Sequence, residues 1–110
     1  MKIVATPTFL KEARHLSKKY ASFRADLIRF TESLTQNPDQ GVKLSCGYRK
    51  IRMAITSKAK GKSGGARIIT FHCIVNDCCD RIVLVMVYDK SDRASVSIEQ
   101  LKAAFDASSR

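Results

Sequence analysis

Lys50 and Arg52 stand two residues apart in a segment that alternates polar and apolar residues, so both side chains leave the same face of a strand. Arg67 begins the next strand-like run, directly after Gly64-Gly65, and Tyr88 and Lys90 share parity at the end of a third. If consecutive strands pair, these ends converge on one surface. Singly, Lys50 or Lys90 reads as a solvated strand end; the set reads as a convergent phosphate-binding site. Its surroundings strengthen that reading. No acidic residue occurs between Asp39 and Asp77, while the same stretch holds eight of the 20 Lys and Arg: Lys43, Arg49, Lys50, Arg52, Lys58, Lys60, Lys62 and Arg67. A basic block without carboxylates attracts polyanions, because nothing nearby neutralises it and phosphate contacts release counterions. Nucleic acid or another phosphate-bearing partner is expected.

Other chemistries lack their residues. Gly61-Lys62-Ser63 resembles the end of a phosphate-binding P-loop, but position 56, where that motif needs its first glycine, is Thr. There is no Gly-x-Gly-x-x-Gly. The two histidines are His15, expected on the surface of a helix, and His72, in mid-strand. No pair of carboxylates lies in the basic block, so two-metal or glycosidase chemistry has no visible ligands. Cys46, Cys73, Cys78 and Cys79 have no paired C-x2-C spacing for zinc and read as core or hairpin thiols. No metal and no cofactor is expected.

The elements that must position the basic residues are legible from periodicity. Lys2 to Ala5 suits a short strand. Thr6 then suits a helix N-cap, with Pro7 at the first helical position. Phe9, Ala13, Leu16 and Tyr20, then Phe23, Leu27, Phe30 and Leu34, form two apolar stripes at helical spacing, an antiparallel helical hairpin with Ser22 as the second cap and an end near Asn37-Pro38. From Tyr48 the period becomes two: Ile51, Met53 and Ile55 face the core, Lys50, Arg52 and Ala54 the other way. Thr56 to Gly65 is a Gly-, Ser- and Lys-rich loop, Arg67 to Val75 a strand, and Asn76-Asp77 the start of a turn. Arg81 to Tyr88 reads as a central strand buried on both faces. Ser97 and Gln100 match a capping box, with Val96 and Leu101 as its staple, opening a last helix whose apolar face holds Ile98, Leu101 and Phe105. The order is strand, two helices, three strands, helix.

With 110 residues, 45% of them hydrophobic, a single domain over 1–110 with a modest core is expected. Net charge is +10. The longest aliphatic run, Ile82 to Val87, is too short for a membrane span, and the N-terminus reaches Thr6-Pro7 too soon for a signal-peptide core. A cytoplasmic location without membrane association is the expectation.

The segments Arg49-Lys50-Ile51-Arg52-Met53-Ala54, Gly61-Lys62-Ser63-Gly64-Gly65-Ala66-Arg67-Ile68-Ile69 and Val87-Tyr88-Asp89-Lys90 resemble bacterial toxins of the RelE/ParE superfamily, most closely a RelE/HigB-like subgroup. The resemblance covers nearly the whole chain. It implies an α+β fold, a small, twisted, mainly antiparallel sheet packed against an N-terminal helical hairpin, with a C-terminal helix. It also implies a type II toxin–antitoxin system and ribosome-dependent, metal-independent cleavage of mRNA in the A site, with an acidic antitoxin as second partner. Lys50, Arg52, Arg67, Tyr88 and Lys90 fall on the catalytic positions; Arg49, Lys58, Lys60 and Lys62 would contact RNA. Some members carry a catalytic tyrosine near the last helix, where this chain has Ser97. Cleavage by a 2′-hydroxyl needs that hydroxyl deprotonated, the phosphorane charge stabilised and the leaving oxygen protonated. Clustered cations stabilise that charge, and among them a lysine can serve as base. Arg67 suits a bidentate phosphate clamp; Tyr88 and Lys90 both remain as the acid. Alternatives are a ParE-like inhibitor of DNA gyrase and a non-catalytic ribosome- or nucleic-acid-binding module.

Overall fold

The computed structural model describes residues 2–58, 64–76, 79–93 and 95–107. The chain begins with strand β1 (Lys2–Ala5), followed by helices α1 (Pro7–Lys19) and α2 (Phe23–Gln36). Strands β2 (Val42–Lys43), β3 (Tyr48–Met53), β4 (Ala66–Asn76) and β5 (Cys79–Asp89) come next, and helix α3 (Ile98–Ala107) closes the described chain. The strands form one sheet in the order β1-β5-β4-β3-β2, parallel only between β1 and β5. This is the α+β architecture expected from the sequence. The addition is β2, a two-residue edge strand too short to show an alternation.

The helical hairpin covers one face of the sheet. Phe9, Ala13, Leu16, Phe23, Phe30 and Leu34 bury against Ile51, Met53, Ile68, Ile82, Leu84 and Val87. On the opposite face, Leu101 and Ala104 of α3 bury against Tyr48, Ile69, Val83, Val85 and Met86. Phe71 stands edge-on between Tyr48 and Phe105, with ring centroids 5.6 and 5.2 Å apart. Strand β5 is therefore apolar throughout its middle because both of its faces are covered.

That apolar run conceals a change of phase. Ile69 pairs with Met86 but Thr70 pairs with Leu84, which leaves Val85 as an extra residue on β5. Val85 and Met86 consequently both face α3, and Tyr88 follows on that side, while Leu84 and Val87 face the hairpin. Strict alternation from Val83 would have sent Tyr88 to the hairpin side. The bulge is held by Thr6: its hydroxyl donates to the Val85 carbonyl at 2.7 Å and its N–H to the Leu84 carbonyl at 3.1 Å. The same hydroxyl accepts from the Phe9 N–H at 3.0 Å, so the cap of α1 and the bulge of β5 share one side chain.

The α3 capping box forms as expected, Ser97 and Gln100 each accepting from the other's N–H. Ser22 differs from its expected role. It occupies the N-cap position of α2 but makes no capping bond. Its hydroxyl instead donates to Asp26 at 2.8 Å and accepts from the Ser57 N–H at 2.8 Å, because the buried carboxylate is the stronger acceptor. Cys46 is exposed in the turn between β2 and β3, and Cys73 is half-buried. Cys78 lies outside the described residues. Among the described residues no helix is long and apolar enough to cross a membrane.

Candidate functional site

Helix α3 covers only part of its face of the sheet. Beyond it, Arg52, Arg67 and Tyr88 are direct neighbours across β3, β4 and β5: Arg52 pairs with Arg67, and Arg67 with Tyr88. Lys50, two residues before Arg52, shares that face. Lys90 follows β5, where its N–H donates to the Gly65 carbonyl at 3.0 Å. Lys50, Arg52, Arg67 and Lys90 together line an open cleft of about 460 Å³, walled on its far side by Gln40, Gly41 and Val42. Among the described residues no carboxylate lines it. The structure thus brings Lys50, Arg52, Arg67 and Lys90 into one cleft, with Tyr88 buried beside Arg67 on the next strand and outside the lining.

Two glycines set the walls. Gly41 has φ +93°, and a Cβ there would lie 2.6 Å from the Lys50 carbonyl oxygen and from Ile51 Cγ1, so only glycine lets the wall lie flush against β3. At Gly65 a Cβ would lie 2.2 Å from the Met53 carbonyl oxygen. Gly65 is therefore a point of close approach, at the end of what the sequence reads as a loop, and it fixes the start of β4 against the end of β3.

The turn after β3, Thr56–Lys58, is gripped from two sides. Asp26 on α2 accepts from the Thr56 N–H at 2.8 Å and its hydroxyl at 2.6 Å, and from Arg29 and Ser22. Burial pushes the Asp26 carboxyl upward, but these bonds outweigh it and hold the group below its ordinary value. At the other end of the turn, Lys58 donates to Asp89 at 2.8 Å and to the Ser91 hydroxyl at 2.8 Å. Asp89 also accepts from the Tyr20 hydroxyl at 2.5 Å and the Ser91 N–H at 2.9 Å. Its side chain is fully buried, which alone would raise its pKa, yet Lys58, Tyr20 and Ser91 bring it well below the usual carboxylate range.

Lys58 departs from its expected role as an RNA contact. Its side chain is only 7% exposed and its charge is spent on Asp89, so it braces the site from within. Arg49 departs too. It lies on the opposite face of β3 from Lys50 and Arg52, its guanidinium donating to the Asp39 carbonyl at 2.9 Å. Lys60 and Lys62 lie outside the described residues.

Arg67 is 6% exposed and Tyr88 3% exposed. Arg67 donates to the Ala66 carbonyl at 3.3 Å. Burial raises the Tyr88 phenol above its ordinary pKa, with the charges of Arg67 and Arg93 pulling the other way. The phenol therefore holds its proton at neutral pH, which suits a proton donor and not a base. Arg93, which nothing in the sequence singled out, places its guanidinium carbon 5.9 Å from the Tyr88 ring centroid. Ser97, the position of a catalytic tyrosine in some proteins of the resembled type, is engaged as the cap of α3.

His72 is remote from the cleft's chemistry. It projects from the other face of β4, between Asp80 at 2.8 Å and Asp39 at 3.3 Å. Among the described residues no cluster of His, Cys, Asp and Glu is arranged to hold a metal ion. The cleft can hold a phosphodiester among four cations and stabilise negative charge developing on it, with the buried Tyr88 next to Arg67 on the neighbouring strand. No protein-family model matches the chain, and no curated protein matches it.

Proposed function

We propose that this protein is a RelE/ParE-type toxin of a type II toxin–antitoxin pair, a metal-independent endoribonuclease that cuts mRNA on the ribosome. The observation that carries this reading is the direct cross-strand pairing of Arg52 with Arg67 at the floor of a cleft that, among the described residues, no carboxylate lines. Like charges placed opposite each other in a sheet are destabilising. A polyanion in the cleft converts that repulsion into binding. Among the described residues, Lys50, Arg52 and Lys90 form no ion pair that would compete with it.

In this reading Arg67, held between Arg52 and Tyr88, clamps the scissile phosphate and meets the charge that grows on it. Arg52 and Lys90 hold the flanking backbone, and Lys50 serves as the base that takes the 2′-hydroxyl proton. Tyr88, kept protonated by burial, serves as the acid toward the leaving 5′-oxygen. With no histidine or carboxylate lining the cleft among the described residues, acid–base power is modest, and the ribosome supplies the alignment of the 2′-hydroxyl. An acidic antitoxin neutralises the same positive surface, with association slowed by salt.

The test is induced expression followed by mapping of mRNA 5′ ends, with plasmid supercoiling followed in parallel. Wild type arrests growth and produces cuts within translated codons. Arg67→Ala lowers cleavage by roughly 10²–10³-fold, the usual loss for one charge-stabilising donor. Undiminished cleavage by a folded Arg67→Ala protein removes that residue from the site. Altered supercoiling with intact mRNA transfers the reading to a gyrase inhibitor.

A further inference from the structure

Tyr88 neighbours residues of two clefts, pairing across the sheet with Arg67 and carrying Arg93 over its ring. On the Arg67 side lies the cationic cleft. On the Arg93 side, between α1 and α3, lies a second cleft of about 360 Å³. Its apolar lining comes from Met86, Val87, Ala103 and Ala104, and its polar lining from Thr8, Glu12 and Gln100. Arg93 lines it as well, and so spans from the Tyr88 ring to this second space. Arg67, Tyr88 and Arg93 thus form a continuous bridge from one cleft to the other.

The two spaces suit different parts of one ligand. A second phosphate is disfavoured beside Glu12, whose carboxylate offsets the single cation. A planar, uncharged, hydrogen-bonding group suits the space: methyl and thioether surfaces to cover its faces, a carboxylate, a hydroxyl and an amide to meet its edge, and a guanidinium plane to stack on it. The volume lies within the usual range of small-molecule sites. We infer that the α1–α3 cleft receives a nucleobase of the RNA whose phosphate occupies the cationic cleft, with Arg93 as the stacking residue between them. This inference rests on the reading of the cationic cleft as a phosphate site, and it assigns the protein its own base-contacting surface in addition to whatever codon geometry the ribosome imposes.

The probe is a 2′-O-methyl RNA trinucleotide, which cannot be cut, compared with the abasic trinucleotide of the same backbone. Wild-type protein should bind the base-bearing form roughly 5- to 150-fold more tightly, the range for one stacked base. In wild-type spectra its addition should move the backbone amides of Thr8 and Ala103, which the abasic form leaves in place. Ala103 is exposed, so Ala103→Trp fills the cleft without disturbing the core; it should abolish the preference and leave abasic binding unchanged. Arg67→Ala should weaken both ligands alike. Equal binding of the two ligands by wild type, or unmoved Thr8 and Ala103 amides, overturns the base site while Arg67-dependent binding leaves the phosphate site standing. Loss of Arg67 dependence for both ligands overturns the phosphate site and this inference with it.

Discussion

Replacing Asp89 by Asn should unlock the site from below. Asp89 lies between Tyr88 and Lys90 in sequence, and its carboxylate joins β5 to the Thr56–Lys58 turn and to Tyr20 at the end of α1. The partners are almost wholly removed from water, the Asp89 side chain at 0% and Lys58 at 7% exposure, so solvent screening scarcely weakens the pair. Breaking a buried pair by removing one charge costs about 3–5 kcal/mol, because the other charge is left unpaired. Asn still offers one carbonyl oxygen to Lys58, which places the loss near the lower end, at about 3 kcal/mol. At an unfolding entropy of about 2.1 cal/mol/K per residue, each kcal/mol moves the melting temperature of a chain this size by about 4 °C, so a fall of about 12 °C is expected at pH 7. The acid limb should change as well. Asp89 has a depressed folded pKa, so its contribution is complete above the ordinary carboxylate value near 4 and is lost as pH falls through the depressed value. Thermal melts of wild type and Asp89→Asn should therefore stay apart through the ordinary carboxylate range and converge only as pH falls through the depressed folded value. Adding Lys58→Met to Asp89→Asn should restore most of the loss by removing the stranded charge. A fall of less than about 4 °C at pH 7, or a double variant no more stable than Asp89→Asn alone, would refute the argument that this pair anchors the turn.

Two further outcomes follow from the same structure. His72 is raised above its ordinary pKa, chiefly by its bond to Asp80 against the effect of burial and with help from Asp39. Its stabilising contribution is thus complete below about pH 6.5 and declines as pH rises through the raised folded value; a nuclear magnetic resonance titration placing His72 at or below 6.5 would contradict this. Thr6→Val keeps the side-chain shape but leaves the Phe9 N–H and the Val85 carbonyl without their hydroxyl partner. A loss of about 2–4 kcal/mol in urea unfolding is expected from the cap and the stranded carbonyl together, and a loss under about 1 kcal/mol would show that the bulge does not depend on Thr6.

Much of the architecture was legible because it is encoded locally. The stripes Phe9–Leu16 and Phe23–Leu34, the cap at Thr6, the stop at Asn37 and the capping box at Ser97 depend on spacing and backbone chemistry within a few residues, and each forms. The convergence of Lys50, Arg52, Arg67 and Lys90 was legible too, since alternation within β3 and pairing of successive strands suffice to produce it. Charge alone could not show which cations face outward. Lys58 and Lys50 are the same residue type in the same acid-free stretch. Their fates diverge because Asp89, 31 residues from Lys58 in sequence, is folded against one of them.

The residue sequence determined the elements, the net positive charge and the acid-free stretch 40–76 that supplies most of the cleft lining, all of which are sums over local choices. The tertiary structure decided the face on which Tyr88 emerges, because a single extra residue at Val85 reverses the alternation and an unbroken apolar run carries no mark of it. It also decided that Gly41 brings a wall to the cleft, that Arg49 turns to Asp39, and that Arg93 reaches Tyr88. Each of these depends on contacts between segments far apart in the chain, where strand register and burial are settled by packing on both faces of the sheet at once, and no window of neighbouring residues contains that information.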